Sequence, residues 1–148
     1  MKKNVKKVIS FILSMLVIIS TAVTPAMAAG TKEAPTEVKS VTASGLWTTV
    51  LNLEFEDTTW MDNINKVIVN DKECKKSMIN SFSSDTSIWE VGSATGAYGS
   101  YKALKLAVPD GKLWTVKVSA DGYKDLTVKI TKETVNYTDT YKAEVVSN

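Results

Sequence analysis

The sequence predicts an all-β fold, an immunoglobulin-like antiparallel β-sandwich of about seven strands. Apolar and polar residues alternate in short runs, which is the period of half-buried strands, and Gly, Pro, Asn and Asp clusters separate the runs. No segment after the leader supports a helix longer than a single turn, and there is no internal repeat. The chain of 148 residues holds one cysteine, Cys74, so no intramolecular disulfide is available and packing alone must hold the sandwich.

Residues 1–29 read as a secretory signal peptide. Lys2, Lys3, Lys6 and Lys7 form a positive start, Val8 to Val23 is predominantly apolar, and Ala26-Met27-Ala28 is a small-x-small cleavage site after Pro25. Residues 30–45 are small and polar with Pro35, and only Val38 and Val41 serve as apolar anchors. This is the composition of a linker ending in a short edge strand. From Leu46 to Glu56, Leu51, Leu53 and Phe55 alternate with Asn52, Glu54 and Glu56, a strand with one face buried. Asp57 to Asn63 breaks the alternation around Trp60 and Met61, and Asp57 is placed to cap a turn or a short helical turn.

Lys66 to Asn70 resumes a strand, Asn70-Asp71 marks a turn, and Lys72 to Lys75 closes a hairpin. Lys76 to Asp85 reads as irregular, with Met78, Ile79 and Phe82 able to cover a sheet edge. Ser87 to Val91 is a short strand, and Gly92 to Ser100 reads as a flexible loop carrying Tyr98. Tyr101 to Val108 is a strand ended by the Pro109-Asp110-Gly111 turn. The domain is expected to run over residues 46–132, with 133–148 a final strand or a tail.

The clearest hairpin is Leu113 to Thr131. A two-residue Asp121-Gly122 turn would pair Val118 with Asp125 and put polar side chains on the apolar face. A longer connection, with Gly122 at positive φ, instead pairs Val118 with Leu126, Val116 with Val128 and Trp114 with Ile130. Tyr123 then lies in the connection.

Composition excludes several functions. All 18 basic residues are lysine, and four leave with the signal, so the remaining 14 face 16 acids for a net charge of −2. Without guanidinium forks or net positive charge, nucleic acid is not an expected partner. The chain has no histidine, which removes Ser-His-Asp and Cys-His catalysis, His-bearing zinc sites and a histidine haem ligand. No phosphate loop, activated nucleophile or paired carboxylates appear, so an enzyme is not expected, nor is a cofactor or metal site. After signal cleavage no apolar stretch reaches spanning length, so the mature chain is expected off the membrane, secreted or retained at the cell surface. A monomer is expected. Cys74 is either a small buried hydrophobe or an exposed thiol available for intermolecular pairing.

Several aromatics are candidate contacts. Trp60 and Tyr123 sit beside turns, where a large ring either plugs the end of a sandwich or meets a partner. Tyr98 lies in the Gly-rich segment and Tyr101 faces away from Leu104 and Leu106, making an exposed tyrosine pair beside a loop. Tyr137 and Tyr141, four apart, would share one face of a strand and form a weak candidate pair for haem ligation.

Three runs together carry a family resemblance: Leu51 to Asp57 followed by Trp60, then Ile64 to Asp71, then Leu113-Trp-Thr-Val-Lys-Val-Ser-Ala-Asp-Gly-Tyr-Lys-Asp125. Over about Thr49 to Thr131 the chain resembles the streptococcal Shr-type haemoglobin-interacting domain. Asp71 stands where that family often has Gly, and Lys76 to Tyr98 matches poorly. The resemblance implies a secreted, non-enzymatic module that binds haemoglobin or another extracellular protein in haem acquisition. The alternative is a cell-surface structural or carbohydrate-binding module on the same kind of sandwich.

Overall fold

A computed structural model describes residues 31–80 and 84–146; the expected signal peptide and Phe82 lie outside the described residues. In chain order the elements are β1 (Ser40–Ser44), β2 (Thr49–Glu54), α1 (Thr58–Asp62), β3 (Ile64–Val69) and β4 (Lys72–Lys76). There follow β5 (Ile88–Gly96), β6 (Gly99–Val108), β7 (Leu113–Ala120), β8 (Leu126–Val135) and β9 (Thr138–Val146). Among the described residues, α1 is the one helix and the rest of the regular structure is β.

The central hairpin forms in the register that alternation requires. Trp114 pairs with Ile130, Val116 with Val128 and Val118 with Leu126, so these six apolar residues of β7 and β8 all reach the core face. The five-residue connection holds Gly122 at φ +79°, and the Tyr123 N–H donates to Ala120 O at 3.1 Å. The β3–β4 hairpin turns through Asn70 and Asp71 at φ 48° and 64°, a pair of left-handed residues that Asn and Asp tolerate. Helix α1 is a single capped turn: Asp57 Oδ1 accepts the Trp60 N–H at 2.8 Å, filling one of the donors a helix start leaves unpaired.

The nine strands form one sheet in the order β1-β2-β6-β5-β4-β3-β7-β8-β9. Its two ends, β1 and β9, approach each other, so the sheet curls into a nearly closed barrel. All pairings are antiparallel except β4–β5, a parallel seam of two residue pairs, Lys75 with Ile88 and Lys76 with Trp89. Trp60, Trp89 and Trp114 lie fully buried among Leu51, Leu53, Leu104, Leu106, Val67, Val116 and Val128 in one apolar cluster.

Three expectations change. Nine strands form among the described residues where about seven were expected, because the edge strand at the end of the linker, β1, and the final strand, β9, both join the sheet. The Gly92–Ser100 stretch is not a loop: β5 and β6 stay paired to Gly96 with Gly99, leaving only Ala97 and Tyr98 between them. Its small residues lack alternation because this tip rises beyond the core, where no apolar face has to be filled. Residues 77–80 and 84–86 are irregular as expected, but Met78 is exposed instead of covering an edge.

Ahead of β1, the extended chain is strapped to the β7–β8 connection. The Lys32 N–H donates to Gly122 O at 3.1 Å, and the Lys124 N–H donates to Lys32 O at 2.9 Å. The Lys32 ammonium stands 5.2 Å from the centre of the Tyr123 ring, close enough for a cation–π contact.

Candidate functional site at the β5–β6 tip

The structure separates the six candidate aromatics. Trp60 is fully buried with its ring edge-on to Phe55, centroids 4.8 Å apart. Tyr123 is buried beneath the Lys32 strap. Both therefore leave the set of contact residues, since a ring packed on all sides offers a partner no surface. Tyr137 and Tyr141 do not share a strand face. Tyr137 occupies the β8–β9 turn with Asn136, at φ 63°, and is fully exposed. Tyr141 lies within β9, where its ring stacks on Trp114 at 6.4 Å. The haem-ligating reading of this pair falls on that turn: the rule that residues four apart share a face holds only along a continuous strand.

Cys74 is buried in the middle of β4, and its thiol donates to Lys72 O at 3.8 Å. Burial pushes its pKa up, so of the two readings it takes the buried, unreactive one.

Tyr98 and Tyr101, by contrast, come together. Tyr98 sits in the two-residue turn at the end of the β5–β6 hairpin and is wholly exposed. Tyr101 points to the outer face of β6, and its hydroxyl meets Thr42 Oγ1 on β1 at 3.1 Å. Since β2 lies between β6 and β1, the ring must lie flat across β2 to make that bond. A side chain at Gly96 would meet the Tyr101 ring at 3.0 Å, so glycine there is what lets the ring settle.

The result is an open cleft of about 550 Å³ with Tyr101 as floor, Tyr98 as rim, and Lys39, Ser40, Thr42 and Glu54 along the β1–β2 side. Glu54 is fixed within it: Ser40 Oγ donates to Oε2 at 2.7 Å and Lys39 Nζ reaches Oε1 at 3.0 Å. The Ser40 hydroxyl first, and the Lys39 ammonium second, hold its carboxyl below the usual range. The arrangement offers an aromatic surface beside a charged hydrogen-bonding pair.

One exposed aromatic escaped the sequence reading. Trp47 shares the parity of Leu51 and Leu53, so extending the strand back to Leu46 would turn it inward. The strand begins only at Thr49, and Gly45 at φ +101° turns the chain so that Trp47 stands out in solvent, 74% exposed. The glycine four residues ahead of Thr49 was the available signal. No family model, no curated protein and no solved structure matches this chain.

Proposed function

We propose that this chain is a secreted, non-enzymatic binding module that holds an extracellular protein through the Tyr98 tip and the cleft behind it. Haemoglobin is the partner that the family resemblance implies. The two halves of the sheet, β1-β2-β6-β5 and β4-β3-β7-β8-β9, are read as the layers of an immunoglobulin-like sandwich closed along the β4–β5 seam. The observation that carries the reading is the placement of Tyr98. A large amphipathic ring stands fully exposed at the tip of a two-residue turn, next to a second tyrosine already fixed by Thr42. Exposed tyrosines have only two side-chain torsions to fix, lose little entropy when covered and recur as anchors of protein contacts.

The experiment is biolayer interferometry with immobilised haemoglobin and the exported chain in solution. Concentration-dependent binding that Tyr98→Ala weakens by about 1 to 2 kcal/mol, at an unchanged melting temperature, supports the reading. Absence of binding by the parent chain removes haemoglobin as partner, and equal binding by Tyr98→Ala removes the tip as contact surface.

A further inference from the structure

At the other end of the sheet lies a second cleft, about 420 Å³, between the β1–β2 turn and the β8–β9 hairpin. Thr49 pairs with Val108 while Tyr98 precedes Gly99, so β6 separates the two sites by about 30 Å at 3.3 Å per residue. We propose that this second cleft is a binding site for a neutral oligosaccharide.

Each wall is suited to a sugar. Trp47 stands at the rim on a turn that Gly45 fixes: a side chain at position 45 would fall 2.1 Å from Thr48 O, so the tight path needs glycine. Tyr141 forms a second aromatic wall, held in place by stacking on Trp114 at 6.4 Å and 27°. A pyranose ring has an apolar C–H face that lies well on such rings, and a rim of hydroxyls that needs acceptors. Asp110 and Asp139 supply them.

Thr49 Oγ1 donates to Asp110 Oδ1 at 3.1 Å. Asp139 accepts from Thr134 Oγ1 at 2.6 Å and from Lys132 Nζ at 2.7 Å. The Lys132 ammonium, followed by the Thr134 hydroxyl, holds the Asp139 carboxyl below its ordinary range. Each carboxylate has about four lone-pair sites, so these partners orient it while leaving capacity for a ligand's O–H groups. Two carboxylates against one lysine leave the cleft mildly negative, which disfavours an anionic ligand and selects a neutral one. A shallow, preorganised and mostly polar cleft with an exposed aromatic suits a hydroxylated ligand better than a purely apolar one.

The molecule carries its own reporter. Of the four tryptophans, Trp60, Trp89 and Trp114 are buried and Trp47 is exposed, so acrylamide quenching of the full exported chain reads Trp47. The probes are cellotetraose, chitotetraose and mannotetraose, added singly. At least one is expected to shield Trp47 from acrylamide in a saturable way. Trp47→Ala and Asp139→Asn, followed by calorimetric titration with that sugar, should each weaken binding about tenfold or more. Tyr98→Ala should bind the sugar normally, which keeps this result apart from that of the protein contact at the other end. Shielding by none of the three sugars overturns the proposal. So does shielding by phosphatidylglycerol vesicles alone, which would put a lipid surface against Trp47, and so does sugar binding that both cleft variants retain.

Discussion

Replacing Trp60 and Trp47 by alanine applies the same chemical change to the two extremes of the fold. Trp60 is 0% exposed, packed against Phe55 in the cluster that joins α1 to the sheet. A tryptophan buries roughly 200 Å², which at about 25 cal/mol per Å² is near 5 kcal/mol as an upper bound. Measured Trp-to-Ala losses in cores run at about 3 to 5 kcal/mol, because neighbours collapse only in part. Trp47 keeps 74% of its surface in water, so the same arithmetic leaves it about 1 kcal/mol at most. Urea denaturation followed by circular dichroism is the assay. Trp60→Ala should lower the midpoint at a nearly unchanged slope, by about 3 kcal/mol or more, a large share of the 5 to 15 kcal/mol that domains typically have. Trp47→Ala should barely move it. A Trp60→Ala loss under about 1 kcal/mol refutes the placement of that ring as the closure between α1 and the sheet.

Further expectations concern caps, turns and titration. Asp57→Ala should cost about 1 kcal/mol by removing the acceptor for the Trp60 N–H, read by the same denaturation experiment. Gly122→Ala should cost about 1 kcal/mol through its positive φ alone, while Gly45→Ala should cost more, since a side chain there also meets Thr48 O. Cys74 should react with a thiol reagent at pH 8 only after urea unfolding; prompt reaction of the folded chain would contradict its burial. The Glu54 carboxyl titrates lower folded than unfolded, so its stabilising contribution is full above the ordinary carboxylate range and is lost as pH falls through the depressed value. Glu54→Gln should therefore flatten the acid limb of the stability curve, from the ordinary carboxylate range downward, and leave the neutral limb in shape.

The central hairpin was legible because only one register puts Trp114, Val116 and Val118 opposite apolar partners, and its turn follows from that constraint. Asp57 announced α1 for a similarly local reason, since a cap and the donor it fills lie three residues apart. The β5–β6 tip was not legible, because alternation records burial and this hairpin rises past the core on Gly, Ser, Ala and Thr. Nor was the β4–β5 seam, since two parallel pairs leave no periodic trace in either strand. At the candidate sites, Tyr98 and Tyr101 were visible as residues, but the way Tyr101 lies across β2 to Thr42 depends on strand order. Tyr137 shows the reverse failure: the spacing fits one strand face, but Tyr137 itself sits in the turn with Asn136, ahead of the start of β9 at Thr138.

Strand order also sets how this chain comes together in time. β7, β8 and β9 are neighbours both in sequence and in the sheet, so their hairpins close short loops and form early. β2 must wait for β6, with Leu51 meeting Leu106 across more than fifty residues and a correspondingly large closure entropy. The N-terminal third is therefore the last to dock, and the Lys32 strap over Tyr123 follows it, because the connection it grips exists only once β7 and β8 have paired. Refolding monitored by hydrogen exchange should accordingly proceed from the C-terminal half, with β1 and the strap the slowest segments to gain protection and the first to lose it.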